Sequence, residues 1–155
     1  MNIKTRSCLR LWARTPAIWA LVGLAPLWAA CGDSTGPVST LWEGNLTPVP
    51  PSQVSGQVAA VTQFGRTEVS IQIRFADPGS THNWRVESGN CQADGTIQGG
   101  LAVYPPLTAG EGGSNSQTAI LSSQFKSGSQ LAVKVFNSVE GGSGEMVSCG
   151  ELVET

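Results

Sequence analysis

The chain has 155 residues, enough for one domain. Residues 1–30 carry four basic residues and no acidic ones, whereas Cys31 onward carries five basic against eleven acidic residues, a formal charge of −6. No Lys/Arg cluster is present to follow a phosphate backbone, so nucleic acid is not an expected partner. Glycine, Val, Ile, Thr and Ser dominate, which favours short strands and turns over helices.

Residues 1–30 read as an export signal. A basic start runs to Arg14, the apolar segment Pro16–Ala30 follows, and the small residues Ala29 and Ala30 precede Cys31. The alternative is a permanent membrane span. The apolar run of about 15 residues is short of the roughly 20 a span needs, and Pro26 interrupts it. Leu27-Trp28-Ala29-Ala30-Cys31 resembles a bacterial lipoprotein processing site, with Trp28 where that motif has a smaller aliphatic residue. The resemblance implies that Cys31 becomes the first mature residue and is acylated, anchoring the protein to a membrane. Gly32 rather than Asp after the cysteine implies sorting to the outer membrane. The polar stretch 31–39 reads as a tether. Without lipidation, Cys31 is an ordinary secreted cysteine.

Residues 40–155 read as the folded domain. Thr40–Leu46 is a first strand, ended by Pro48, Pro50 and Pro51, which cannot donate ladder hydrogen bonds. Gly56–Phe64 is a second, with Val58, Ala60 and Thr62 on one face. A tight turn at Phe64–Thr67 leads to Glu68–Phe75, where Val69, Ile71, Ile73 and Phe75 alternate with polar residues, the period-2 mark of a half-buried antiparallel strand. Asp77-Pro78-Gly79-Ser80 is a turn. The strand through His82 and Cys91 follows, with Trp84 and Val86 facing inward. Ser88–Gly100 is a loop, Leu101–Tyr104 a short apolar piece stopped by Pro105-Pro106, and Leu107–Ser116 another loop. Gln117–Leu121, Gln130–Asn137 and Glu145–Val153 are the remaining strands, separated by turns at Lys126–Ser129 and Gly141–Gly144. About seven or eight short strands with no helical periodicity predict an all-β antiparallel Greek-key sandwich or barrel.

Removing Cys8 with the signal and acylating Cys31 leaves Cys91 and Cys149, an even pair in an oxidising compartment. A disulfide closing that loop would stabilise the fold by about 4 kcal/mol in the chain-entropy model. A reactive thiol pair is the alternative, with neither CxxC spacing nor a nearby basic residue to support it.

From Trp84-Arg85-Val86-Glu87-Ser88-Gly89-Asn90-Cys91, through Tyr104-Pro105-Pro106-Leu107 and Ala132-Val133-Lys134-Val135-Phe136-Asn137, to Val147-Ser148-Cys149-Gly150-Glu151-Leu152, the chain resembles chordin-type (CHRD) domains and bacterial Cu,Zn superoxide dismutase-like sandwiches. The resemblance implies the sandwich fold and a Cys91–Cys149 bond. It also implies a metal-ligand pattern from which this chain departs. Relatives carry His-Val-His where Arg85-Val86-Glu87 stands, and often a further histidine at Phe136. His82 is the sole histidine, and with both remaining cysteines paired it cannot assemble the three or four N/S ligands of a copper or zinc site. An oxygen-ligand site from Asp77, Glu87, Asp94 and Glu111 lacks the spacing of a calcium loop.

No nucleophile elbow or phosphate loop appears. His82 reads as a surface or strand-edge residue, and Arg85 with Glu87 as a solvated pair of little energetic weight. The pair's alternative is the lining of a remnant pocket. Trp42 and Trp84 read as core, with a sugar-stacking platform as the alternative. The expectation is a non-catalytic, membrane-anchored binding or structural module needing no cofactor, with a protein or polysaccharide partner. The loops Ser88–Gly100, Ala109–Ser116 and Glu140–Gly144 are its expected contact surfaces. A metal-handling or dismutase-like enzyme and a carbohydrate-binding module are the rival readings.

Overall fold

The computed structural model describes residues 39–139 and 142–155. The export signal, Cys31 and the tether to residue 38 lie outside the described residues. Eight strands run β1 Thr40–Pro48, β2 Ser55–Gln63, β3 Arg66–Arg74, β4 Thr81–Ser88, β5 Leu107–Thr108, β6 Asn115–Leu121, β7 Leu131–Val139 and β8 Gly142–Glu154. One 3-10 turn, Leu101–Val103, interrupts them. All pairings are antiparallel, in the order β5-β4-β7-β8-β1-β2-β3-β6, and β5 approaches β6 to leave a nearly closed sheet. Around that closure β7 returns to lie beside β4, followed by β5 and β6, which is Greek-key order.

The alternation in β3 survives folding. Val69, Ile71 and Ile73 are buried inside the barrel while Glu68, Ser70 and Arg74 face out. Each such aliphatic side chain stabilises the fold by about 1.5–3 kcal/mol relative to exposure. The strand starts two residues earlier than expected and ends one residue earlier. Arg66 and Thr67 belong to it rather than to the turn, because they pair with Gln63 and Thr62. Phe75 does not belong to it: its φ of 59° breaks the alternation and leaves the ring 72% exposed. Thr67 is fully buried, yet its hydroxyl donates to Ser123 O at 2.8 Å and accepts from the Phe125 N–H at 3.2 Å.

Trp42 on β1 and Trp84 on β4 are the largest fully buried side chains. Trp42 meets Phe125 edge-on at 5.9 Å, and Trp84 meets Tyr104 at 4.9 Å. The Trp84 indole N–H donates to Pro105 O at 2.7 Å, so the polar end of the ring is satisfied inside the core. The Tyr104 hydroxyl donates to Gln98 O at 2.5 Å, and burial pushes this phenol up to about 12. Neither tryptophan can serve as a stacking platform for sugar, since both are covered.

β8 holds the two halves of the sheet together by pairing with β7 on one side and β1 on the other. The β1–β8 approach depends on two glycines. A Cβ at Gly44 would lie 2.5 Å from Glu151 O, and one at Gly150 would lie 2.3 Å from Asn45 O. Either methyl would force the strands apart.

Candidate functional site

The outer faces of β4 and β7 carry the positions at which the family resemblance implies metal ligands. Arg85 and Glu87 leave β4 on the side opposite Trp84 and Val86. Lys134 and Phe136 leave β7 on the same outer side, with Lys134 directly across from Arg85. An outer sheet face is ordinarily solvated. Here the segment after β4 folds back over it, so that Glu87 and Lys134 are each only 2% exposed.

Backbone pairing holds this cover down. Ser88 N–H donates to Thr96 O at 3.0 Å, Gln98 N–H donates to Val86 O at 2.9 Å, and Glu87 forms an isolated bridge with Ile97. Gly95 lies so close that a Cβ there would sit 1.7 Å from Ser88 O. The Cys91–Cys149 disulfide, with Cα atoms 5.9 Å apart, ties the start of the cover to β8. Cys149 is across from Lys134 in the β7–β8 register, so the staple stands beside the charged cluster.

Beneath the cover one carboxylate meets two cations. Glu87 Oε2 lies 2.8 Å from Lys134 Nζ and accepts from the Gly95 N–H at 3.1 Å, while Oε1 accepts from Arg85 Nε. Lys134 also donates to Ala93 O at 2.7 Å. The Arg85 guanidinium lies 4.1 Å above the centre of the Phe136 ring, a cation–π arrangement. Burial alone would push the Glu87 carboxyl up. The hydrogen bonds from Lys134, Arg85 and Gly95 outweigh it and bring the carboxyl down to about 2.

These contacts correct the expected solvated Arg85–Glu87 pair. The pair is enclosed, and its third member is Lys134. The sequence held one sign of this: a lone lysine inside the apolar run Leu131–Phe136 must be paired if the strand is covered on both faces. The arrangement does not fit a bound metal ion. Among the described residues Glu87 is the only carboxylate enclosed there, three donors already engage its oxygens, and an added cation would face two fixed positive charges. Among the described residues no cluster of three or more His, Cys, Asp or Glu side chains converges.

His82 is likewise not the surface or edge residue expected. It shares the inward side of β4 with Trp84 and Val86 and is 3% exposed. Its Nε2 lies 2.9 Å from Ser80 Oγ. Burial lowers its pKa, against opposing contributions from the Phe136 carbonyl and the Asp77 carboxylate. Ser80 Oγ also lies 2.6 Å from Asp77 O, and its proton is directed to that carbonyl rather than to the imidazole. The geometry therefore gives a turn lock rather than an activated nucleophile. Neither His82 nor the oxygen ligands Asp77, Asp94 and Glu111 join the Glu87 cluster as ligands. Asp94 comes nearest, with one oxygen 3.6 Å from Lys134 Nζ on a fully exposed side chain.

Comparison with models of known protein families finds no match, and comparison with curated protein sequences finds none either.

Proposed function

We propose that this chain is a lipid-anchored module of the bacterial cell envelope whose β-barrel domain binds or braces rather than catalyses. One observation carries the reading. At the positions where the resembling metal sandwiches keep imidazoles, Arg85, Glu87 and Phe136 join Lys134 in a closed, mutually paired cluster under a disulfide-held cover. Such a cluster offers no open coordination position and no unengaged base. It serves instead to fix the segment between β4 and the 3-10 turn against the sheet. The disulfide fits an oxidising compartment, and the sequence before Cys31 supports export and acylation.

The anchor is tested by growing cells with labelled palmitate. Label enters the wild-type chain and is absent from Cys31→Ser. Copper or zinc that remains stoichiometric after dialysis, together with superoxide dismutation, would sink the non-catalytic reading in favour of the metal-handling one.

A further inference from the structure

A trough of about 990 Å³ lies on the outer face of the other half of the sheet, formed by β8, β1, β2, β3 and β6. Strand register turns its lining into two ordered rows that run across the strands. In one row Asn45 stands opposite Gln57, Gln57 opposite Gln72, and Gln72 opposite Ser116. Glu43 pairs with Val153 and Thr47 with Cys149, so the same register sets Glu151 opposite Asn45 at the β8 end. The second row reads Val153, Glu43, Ala59, Ser70 and Thr118. At about 4.8 Å between neighbouring strands, five strands span roughly 19 Å.

The chemistry of the rows selects an occupant. Among the described residues, the only charged side chains lining the trough are the carboxylates Glu43 and Glu151, and both sit at the β1–β8 end. Polyanions are repelled. A polycation would find its countercharges at one end only, leaving most of the trough without a match. No aromatic ring lines it, and Val153 is its one large exposed aliphatic group, so an apolar peptide is not matched either. What remains is a line of amides and hydroxyls. The side chains of Asn45 and Gln57 are exposed and make no hydrogen bond to the described residues. Gln72 accepts from Arg74 at 2.9 Å and keeps its own N–H groups free to donate. Each amide presents a donor and an acceptor together, the pairing that a hydroxyl group meets with both its proton and its lone pairs. The low second row, Ala59 with Ser70 hydrogen-bonded to Thr118, leaves room for a chain to lie beside the amides.

We infer that this trough binds an extended, uncharged oligosaccharide chain lying across the strands, held by Asn45, Gln57 and Gln72 without aromatic stacking. The inference rests on the envelope reading for the ligand's source, and names the face and ligand class of the module proposed above.

The test uses full-length lipidated protein in a detergent without sugar headgroups. Chitohexaose, maltohexaose and cellohexaose are titrated by calorimetry and by amide NMR, with a lysine decamer as the rival ligand. The expected result is saturable binding of at least one hexasaccharide, with shifts confined to β1, β2, β3, β6 and β8. Gln57→Ala combined with Gln72→Ala should weaken it at least tenfold, and Lys126→Gln, on an exposed turn, should leave it unchanged. Both variants should melt within a few degrees of wild type. No binding by any of the three sugars overturns the inference, as does sugar binding indifferent to the double variant. Preference for the lysine decamer overturns it in favour of a basic peptide. These failures leave the palmitate result untouched, while an unlabelled Cys31 would defeat the envelope reading without affecting the titrations.

Discussion

Lys134 Nζ and Glu87 Oε2 lie 2.8 Å apart with both side chains 3% exposed, an ion pair removed from water on the outside of a β-sheet. Such a pair is expensive to break from one side. Lys134→Met should destabilise the domain by about 3–5 kcal/mol, because Glu87 would keep its charge with one cation fewer. Glu87→Gln with Lys134→Met should cost clearly less than the two single changes added together. Urea unfolding of the four proteins gives the coupling directly. Additive losses would show that the pair contributes through packing alone.

The same carboxylate gives a signed pH dependence. Glu87 binds its proton more weakly in the folded chain than in the unfolded one, since folding lowers its value from 4.5 to about 2. The stability it contributes is therefore complete above pH 4.5 and is lost as pH falls toward 2. A shift of this size corresponds to on the order of 3 kcal/mol. Glu87→Gln should flatten the stability profile in that window while lowering stability at neutral pH. A wild-type profile already flat there would contradict the described hydrogen bonds.

His82 acts in a higher window with the same sign. Burial makes the folded imidazole harder to protonate than the unfolded one. Stability should be complete above pH 6.5 and fall as pH drops below it. Proton-detected titration of the single imidazole should give a midpoint below 6.5 in the folded protein. A midpoint above 6.5 would mean that Asp77 and the Phe136 carbonyl dominate burial.

Reduction of Cys91–Cys149 should lower stability by about 4 kcal/mol in the chain-entropy model. Its local signature is more specific. The Gly95 amide, which donates to Glu87, should lose hydrogen-exchange protection more than the amides of β2 and β3 do. Equal loss throughout would show that the cover and barrel unfold together. Non-reducing peptide mapping should recover Cys91 joined to Cys149.

Gly150→Ala tests the joint between the two halves of the sheet. Its Cβ would meet Asn45 O at 2.3 Å, so the β1–β8 ladder must open. A loss of several kcal/mol is expected by comparison with ordinary overpacking of about 1–3 kcal/mol. Gly79→Ala is a contrasting control: no neighbouring atom obstructs its Cβ, and its positive φ makes the cost one of backbone strain.

Much of the barrel was legible in the chain. Val69, Ile71 and Ile73 announced their inward face, and the turn at Asp77–Ser80 and the run Leu131–Val135 appeared where they were expected. The even pair left once Cys8 and Cys31 are assigned to the expected signal and anchor was enough to predict the staple. The site was less legible. Period-2 alternation says which residues share a face, and it put Arg85 with Glu87 correctly. It cannot say whether the segment that follows will fold back over that face. Glu87 looked solvated because the cover comes from residues 90–98, whose polar and glycine-rich sequence carries no periodic signal.

What the sequence determined alone was therefore local: strand alternation, turn chemistry, the cysteine count and the lack of imidazoles, all properties of neighbouring residues or of composition. The tertiary structure decided burial and partnership. It enclosed Glu87 with Lys134, turned His82 inward, and lined up Asn45, Gln57 and Gln72 across three strands. Those outcomes depend on strand register and on loop cover, which arise only when separate segments of the chain are brought side by side.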